Sequence, residues 1–384
     1  MDNDKIVRGN LVLPEGIMQD GCLVIKNGVI RDITDARNVS PTEDYTGHFI
    51  APGFIDLHIH GIHGLDTMDG SLESIQGMAR SVLRHGVTSF LPTTVTESIE
   101  NTTRAIEAVR QAMQSSSLES DGGKMAHVLG LHLEGPFISR QAKGAQNEAF
   151  ILPLEDELVR SVLDAGKDIV RIITIAPELA GAGEVIELLK SRGIAVSVGH
   201  TAAEYEVADA AMEAGCKRVT HCFNAMTGLH HRKPGVVGAA LLRDDVMTEL
   251  IADGIHVHPA VMKLLYKIKG QRRIMLVTDA IAAADMPEGN NYVLGGQSVS
   301  VKDGKATLAD GTIAGSVLTM DVAVQNMVFV CGVPIHEAVA MASSSPAESI
   351  GVRERKGAIE VGLDADLVVL DSGLRPVATL LSNS

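Results

Sequence analysis

Cysteine is scarce in this chain: only Cys22, Cys216, Cys222 and Cys331 occur among 384 residues. No two of them form a CxxC pair, and their spacing gives no disulfide framework. Buried free thiols in a reducing compartment are the simple reading. Positive charge is also in deficit, with 33 Lys and Arg against 48 Asp and Glu, a formal net charge of -15. That deficit argues against nucleic acid and anionic membrane surfaces as partners. A phosphorylated small molecule stays admissible, because a pocket needs only one or two local cations. Long apolar runs are missing as well, and no stretch approaches the roughly 18 residues needed to span a bilayer. The opening MDNDKIVRGN has neither the basic nor the apolar region of a signal peptide. A cytoplasmic protein is the expectation.

Repeats of fixed period and low-complexity tracts are absent too. What recurs is a rhythm of strand, loop and helix. Apolar strands are expected over 54–61, 86–94, 127–134, 170–176, 194–200, 218–224, 249–257 and 273–279. The helices between them carry 3.6-period apolar faces. Leu72, Ile75, Met78, Ala79, Val82 and Leu83 form one such face, and Val261, Leu264, Leu265 and Ile268 form another after Pro259. Eight such strands fit an α/β fold, a parallel (β/α)8 TIM-like barrel. An open doubly wound sheet would show a glycine-rich phosphate loop after its first strand, and the chain has none. The ends differ. Gly21–Lys26 and Val29–Ile33 flank the turn Asn27-Gly28, a hairpin signal, and Ala365–Asp371 is a strand. We therefore expect a small β-sandwich domain built from both termini, residues 1–51 and 355–384, around a barrel over 52–354. A further β-rich excursion over 291–312 is expected near the barrel mouth. A chain of this length buries enough apolar surface to fold without a structural metal, so any metal present is catalytic.

Six side chains of ligand type stand where these strands end. His58 and His60 are two apart on one strand, so both imidazoles face the same way. Glu134 closes HLEGP, His200 closes VSVGH, His221 follows VT, and Asp279 closes IMLVTD. Each alone has a plainer explanation. A His-x-His fits a half-buried strand, a lone Glu a solvated loop, single histidines a satisfied core, and Asp a helix N-cap. His132 either supports the site or is a core histidine. The methionines read as core fillers, His230-His231-Arg232-Lys233 as a solvated basic loop, and Cys222 as a packed thiol. Together, however, all six fall at C-terminal strand ends, the face on which barrel enzymes build their sites. Imidazole and carboxylate suit a divalent cation such as zinc or iron, one or two per subunit.

With HLEGPF, VGHT, THCFNAM, ADGIHVH and VTDA in this order, the chain resembles the amidohydrolase superfamily, and within it the N-acetylglucosamine-6-phosphate deacetylases. The resemblance covers essentially the whole chain. It implies removal of an acetyl group from an amino-sugar phosphate, with the galactosamine 6-phosphate enzymes close alternatives. By the same resemblance Glu134, His200 and His221 match the principal metal ligands, and His58 and His60 the positions that hold a second metal. Asp279 matches the catalytic acid/base, Asn224 and Ala225 a phosphate-contacting segment, and His256 a substrate-contacting histidine. Arg232 matches an arginine that reaches the phosphate across a homodimer interface. Gln146 stands where some members carry histidine, and a glutamine there cannot carry charge. Two rivals remain. One is a cyclic-amide amidohydrolase, many of which bridge their metals with a carboxylated lysine, whereas Glu134 is the candidate bridge here. The other is a sugar-phosphate-binding protein without catalysis, which would be expected to lack Asp279 or several ligands.

Overall fold

A computed structural model describes residues 5–35, 40–115, 124–289 and 291–382. Eight parallel strands run in chain order around a barrel: Phe54–Ile59, Val87–Thr94, Leu131–Glu134, Val170–Ile175, Ala195–Val198, Arg218–Val219, Met247–Ile251 and Ile274–Val277. The ring closes where Ile59 bridges Ala280 and the Asp279 N–H donates to His58 O at 2.8 Å. The (β/α)8 expectation therefore holds.

Several strands stop earlier than the apolar pattern implied. The fifth, sixth and eighth end at Val198, Val219 and Val277, each two residues before His200, His221 or Asp279. Those three residues take positive φ values of 45°, 29° and 49°. A left-handed backbone leaves the ladder, and at a non-glycine residue it costs of order 1–3 kcal/mol. The apolar sequence runs through the turn, so periodicity alone could not mark its start.

One helix face also differs from expectation. Helix Pro259–Lys269 buries Met262, Leu265 and Lys269. Leu264 and Ile268 are instead 47% and 45% exposed. The helix is rotated so that the Lys269 stem lies inward, its ammonium donating to Ala240 O and Arg243 O at 2.8 and 2.6 Å. A lysine that buries its stem and satisfies its head on carbonyls is invisible to a count of apolar residues.

The two ends of the chain meet in one six-stranded sheet. Its order is Pro376–Leu380, Leu367–Leu370, Glu43–Pro52, Lys5–Leu13, Gly16–Lys26 and Val29–Asp35. Val7, Leu11, Leu23, Ile25, Ile30, Ile50, Leu367 and Val369 make its core. The expected hairpin is there, with Lys26 opposite Val29 and positive φ at both Asn27 and Gly28. A side chain at Gly28 would stand 1.7 Å from Ser382 O, so the turn and the C-terminal segment both require glycine.

The excursion at the mouth is a three-stranded antiparallel sheet, Asn291–Leu294, Gln297–Lys302 and Lys305–Thr307. Leu294, Val299, Val301 and Ala306 pack on Val95, Ile281, Ala283 and Ala314. Gln297 Nε2 ties it to Ala145 O at 2.6 Å. This sheet walls one side of the barrel opening. Among the described residues no helix is long and apolar enough to cross a membrane.

Candidate metal centre

Alternation along the first strand puts Asp56, His58 and His60 on its inward face, all buried. Asp56 accepts the His58 N–H at 3.2 Å and the Thr278 hydroxyl at 2.6 Å, locking the first strand to the eighth. Burial pushes its carboxyl up to about 7, against the hydrogen bonds from Thr278 and His58. Above it, the mouth collects the six predicted side chains. Glu134 Oε1 lies 3.1 Å from His221 Nε2 and 3.3 Å from the Nε2 atoms of His200 and His58. Its Oε2 lies 3.3 Å from His60 Nε2. Asp279 Oδ1 is 3.1 Å from His60 Nε2 and 3.4 Å from His58 Nε2. Glu134 thus stands between two histidine pairs.

The hydrogen bonds behind the rings decide what this cluster is for. His58 Nδ1 faces Glu249 Oε2 at 3.0 Å. His60, His200 and His221 turn Nδ1 to the carbonyls of Thr93, Ala142 and Asn224 at 3.2, 3.0 and 3.2 Å. With the ring proton committed to each Nδ1, every Nε2 presents a lone pair to the mouth. His58 and His60 then bring two Nε2 atoms within 3.3 Å, and His200 and His221 within 3.1 Å. Two lone pairs at that distance repel unless a proton or a cation lies between them. Two groups, His58–His60–Glu134 and Glu134–His200–His221, each keep their ligand atoms within 4.8 Å of one another. This donor set fits one divalent cation or two, with Glu134 common to both groups.

In the metal-free protein protons take the cation's place. Burial disfavours charge on His58 and His60, but Glu134 and Asp279 outweigh it. His58 is held well above the ordinary imidazole value and His60 at about 9. His221 is also raised, Glu134 prevailing over burial. Glu134 and Asp279 are themselves buried, yet the neighbouring histidines, His58 foremost, hold both below the usual carboxylate range. A raised histidine contributes stability below its unfolded value of 6.5, and loses it as pH climbs through the folded value. The metal-free protein is therefore expected to lose Tm between pH 6.5 and about 9. The metal-replete protein should not, because a cation replaces those protons. Thermal melts with and without chelator check this, and a flat Tm in the chelated protein would contradict the charge assignment.

A cavity of about 320 Å³ opens on the cluster. His60, Glu134, His200, His221 and Asp279 line its floor, and Gln146, Asn224, Ala225 and His256 its walls. Gln146 holds the bridging carboxylate. Its Nε2 donates to Glu134 Oε2 and its Oε1 accepts the Thr96 N–H, both at 2.6 Å. His256 Nδ1 is engaged by Asp253 at 2.6 Å, which leaves Nε2 for the cavity. The Asn224 N–H and side-chain amide donate to His221 O at 2.9 and 3.2 Å, so this residue braces the loop behind a ligand as well as lining the cavity. Arg232 does not line it. The residue is exposed, with Nη1 2.7 Å from His231 Nε2.

His132 is a core histidine and does not line the cavity. Both ring nitrogens are spent, on Leu57 O at 3.1 Å and Thr174 Oγ1 at 2.8 Å, inside the barrel below the floor. Burial, and then the charge on His58, push it down to about 3, so it stays neutral. The Cys222 thiol is pushed up to about 12 by burial, as befits a packed thiol. Glu249 and Arg218 escaped the sequence reading. Glu249 is the single charge in Met247–Ile251, a signal that could have found it, whereas Arg218 follows Lys217 at the start of a two-residue strand and gave none. Leu294, Thr312 and Ile313 on the cavity wall were also missed. They carry no chemistry of their own, and only the fold of the excursion brings them there.

This geometry defines a barrel whose mouth carries a donor set able to hold divalent metal. The sequence profile of the amidohydrolase family matches residues 49–383, and the chain belongs to that family. It is 38% identical over 379 residues to the N-acetylglucosamine-6-phosphate deacetylase of Bacillus subtilis strain 168, spanning 96% of this chain and 93% of that one. To the N-acetylgalactosamine-6-phosphate deacetylase of Escherichia coli O157:H7 it is 41% identical over 364 residues, 95% of this chain and 94% of that one. Among solved structures, the N-acetylglucosamine-6-phosphate deacetylase of Pasteurella multocida superposes with a TM-score of 0.91 at 32% identity, covering 99% and 98% of the two chains. A mutant of the Mycobacterium smegmatis enzyme, in complex with N-acetyl-D-glucosamine-6-phosphate, gives 0.92 at 31% identity with the same coverage. The resemblance drawn from the motifs therefore extends over the whole chain.

Proposed function

We propose that this protein removes the acetyl group from N-acetyl-D-glucosamine 6-phosphate, giving D-glucosamine 6-phosphate and acetate. The observation that carries the reading is the convergence of four Nε2 atoms and two carboxylates at the base of a cavity, where all but His58 line the floor. In this reading Glu134, His200 and His221 hold one divalent cation, with zinc or iron the best matches, and His58 and His60 complete a second position with Glu134. A cation so held acidifies water and polarises the acetyl carbonyl, the two things an acetamide lacks at neutral pH. Asp279, whose Oδ1 lies 3.1 Å from His60 Nε2 and 3.4 Å from His58 Nε2, accepts the proton of the attacking water at a carboxylate oxygen. It then returns that proton to the departing sugar amine, so one carboxylate serves both halves of the reaction. Gln146 keeps Glu134 in place while charge rearranges beside it. The Ala225 N–H, Asn224 and His256 face the rest of the sugar. The galactosamine epimer is the second reading, favoured by the 41% identity to an enzyme of that name.

Replacing both first-strand histidines (His58→Gln with His60→Asn) is expected to lower bound metal from near two equivalents towards one. His200 and His221 retain theirs, because the two groups share only Glu134. Elemental analysis reads this directly, and loss of all metal would show the principal position to be wrong.

The phosphate is met by few charges. Arg232 follows Asn224 and Ala225 in sequence yet lies outside its own chain's cavity lining, and the nearby Leu229 is 57% exposed. Both features support a loop that meets a second copy of the chain and supplies Arg232 to the partner's cavity. A guanidinium fork on phosphate makes two charge-assisted hydrogen bonds. Arg232→Ala is expected to raise KM for the phosphorylated sugar by roughly 10- to 100-fold, and hardly at all for the unphosphorylated one. Mixing Asp279→Asn subunits with Arg232→Ala subunits should restore activity. No recovery after verified subunit exchange would place the arginine in its own subunit's site or outside it.

A further inference from the structure

Below the histidines the barrel interior holds a charge pair that the proposed reaction does not use. Arg218 opens the sixth strand and Glu249 lies within the seventh, 2% and 0% exposed. Arg218 Nη2 donates to Glu249 Oε1 at 3.2 Å. Glu249 Oε2 takes His58 Nδ1 at 3.0 Å and the backbone N–H of His221 at 3.2 Å. One carboxylate therefore touches a ring from one half of the centre and the backbone of the other. Stability does not account for this arrangement. A buried ion pair is often matched or bettered by apolar side chains of similar volume. Here Arg218 also leaves Nε and Nη1 buried without hydrogen-bond partners, which costs still more.

The four histidines are not backed alike. His60, His200 and His221 turn Nδ1 to neutral backbone carbonyls, and His58 alone turns it to a carboxylate. A carboxylate behind an imidazole fixes the proton on Nδ1, aims the Nε2 lone pair outward and strengthens the ring as a ligand. Glu249 is also the third buried carboxylate against the His58 ring, after Glu134 and Asp279. Arg218 offsets that accumulated negative charge. We propose that Arg218 and Glu249 act as a positioning pair for His58 and so set how tightly the His58–His60 half of the centre holds metal. This inference rests on the metal-dependent reading above. It assigns to two residues outside the cavity control over the second equivalent, while the imidazoles of His200 and His221 are backed by backbone carbonyls.

The test is Glu249→Gln in the full-length protein. Glutamine keeps an oxygen for His58 and His221, removes the charge, and sets an NH2 group against Arg218. Competitive chelator titration with Zn²⁺ and Co²⁺ is expected to show the second equivalent weakened about 10- to 100-fold and the first unchanged. The Co²⁺ absorption spectrum should lose the contribution of one site only. Should Glu249→Gln fail to fold, Arg218→Met with Glu249→Met removes both charges without stranding either, and is expected to show the same selective loss at near-wild-type Tm. A purely structural pair would lose both equivalents together with Tm. A folded variant with unchanged second affinity, or a wild type that binds one metal only, would overturn the proposal and leave the deacetylase reading standing. A wild type that binds no metal would overturn both.

Discussion

Asp279→Asn is expected to cut turnover by roughly 10²–10⁴-fold, the usual cost of losing general acid/base catalysis, with metal content near wild type. The carboxylate stands at the end of the eighth strand, its Oδ1 3.1 Å from His60 and 3.4 Å from His58. Asparagine matches its shape and keeps an oxygen on that side, but cannot take a proton at neutral pH. The left-handed backbone at position 279, φ 49°, also suits asparagine among non-glycine residues, so the fold should persist. The loss should fall on kcat more than on KM, because the proton moves only during reaction. Wild-type kcat in a metal-replete Asp279→Asn protein would remove this residue from the mechanism.

Glu134→Gln is expected to do more. Its Oε1 serves His58, His200 and His221, and its Oε2 serves His60. An amide replaces one of these oxygens with an NH2 group and removes the charge that both halves share. Metal content should fall in both positions at once, in contrast to the paired His58 and His60 replacement, which spares one. With Lewis-acid stabilisation worth several kcal/mol, activity is expected to drop roughly a thousandfold or more. The same change should lower the His60 pKa from about 9 in the metal-free protein, because Glu134 helps to hold the proton there. Retention of both metals by Glu134→Gln would show that Glu134 is not the bridge.

The barrel was legible because strand and helix periods alternate eight times, and the six ligand-type residues because each closes an apolar strand. What escaped the sequence has identifiable causes. The turns at His200, His221 and Asp279 are set by backbone angles that leave no mark in a hydropathy pattern. His132 falls on a strand two residues before Glu134, which is why an active role was open, yet its nitrogens are consumed by Leu57 and Thr174 below the floor. Gln146 looked like a departure that weakened a charged role. In the fold its neutral amide is what the position uses, since it must donate to Glu134 and accept from Thr96 together. Glu249 and Arg218 come from different strands and become meaningful only when the barrel brings them beneath His58.

The most direct measurement is acetate release from N-acetyl-D-glucosamine 6-phosphate by the metal-replete protein, before and after chelation. The panel should include the galactosamine epimer, the unphosphorylated sugar and a cyclic amide. The account predicts rapid release from a phosphorylated N-acetyl sugar, weak release without the phosphate, none from the cyclic amide, abolition by chelator and recovery on adding Zn²⁺ or Fe²⁺. Turnover of a phosphorylated sugar that survives complete metal removal, or hydrolysis confined to the cyclic amide, would contradict it.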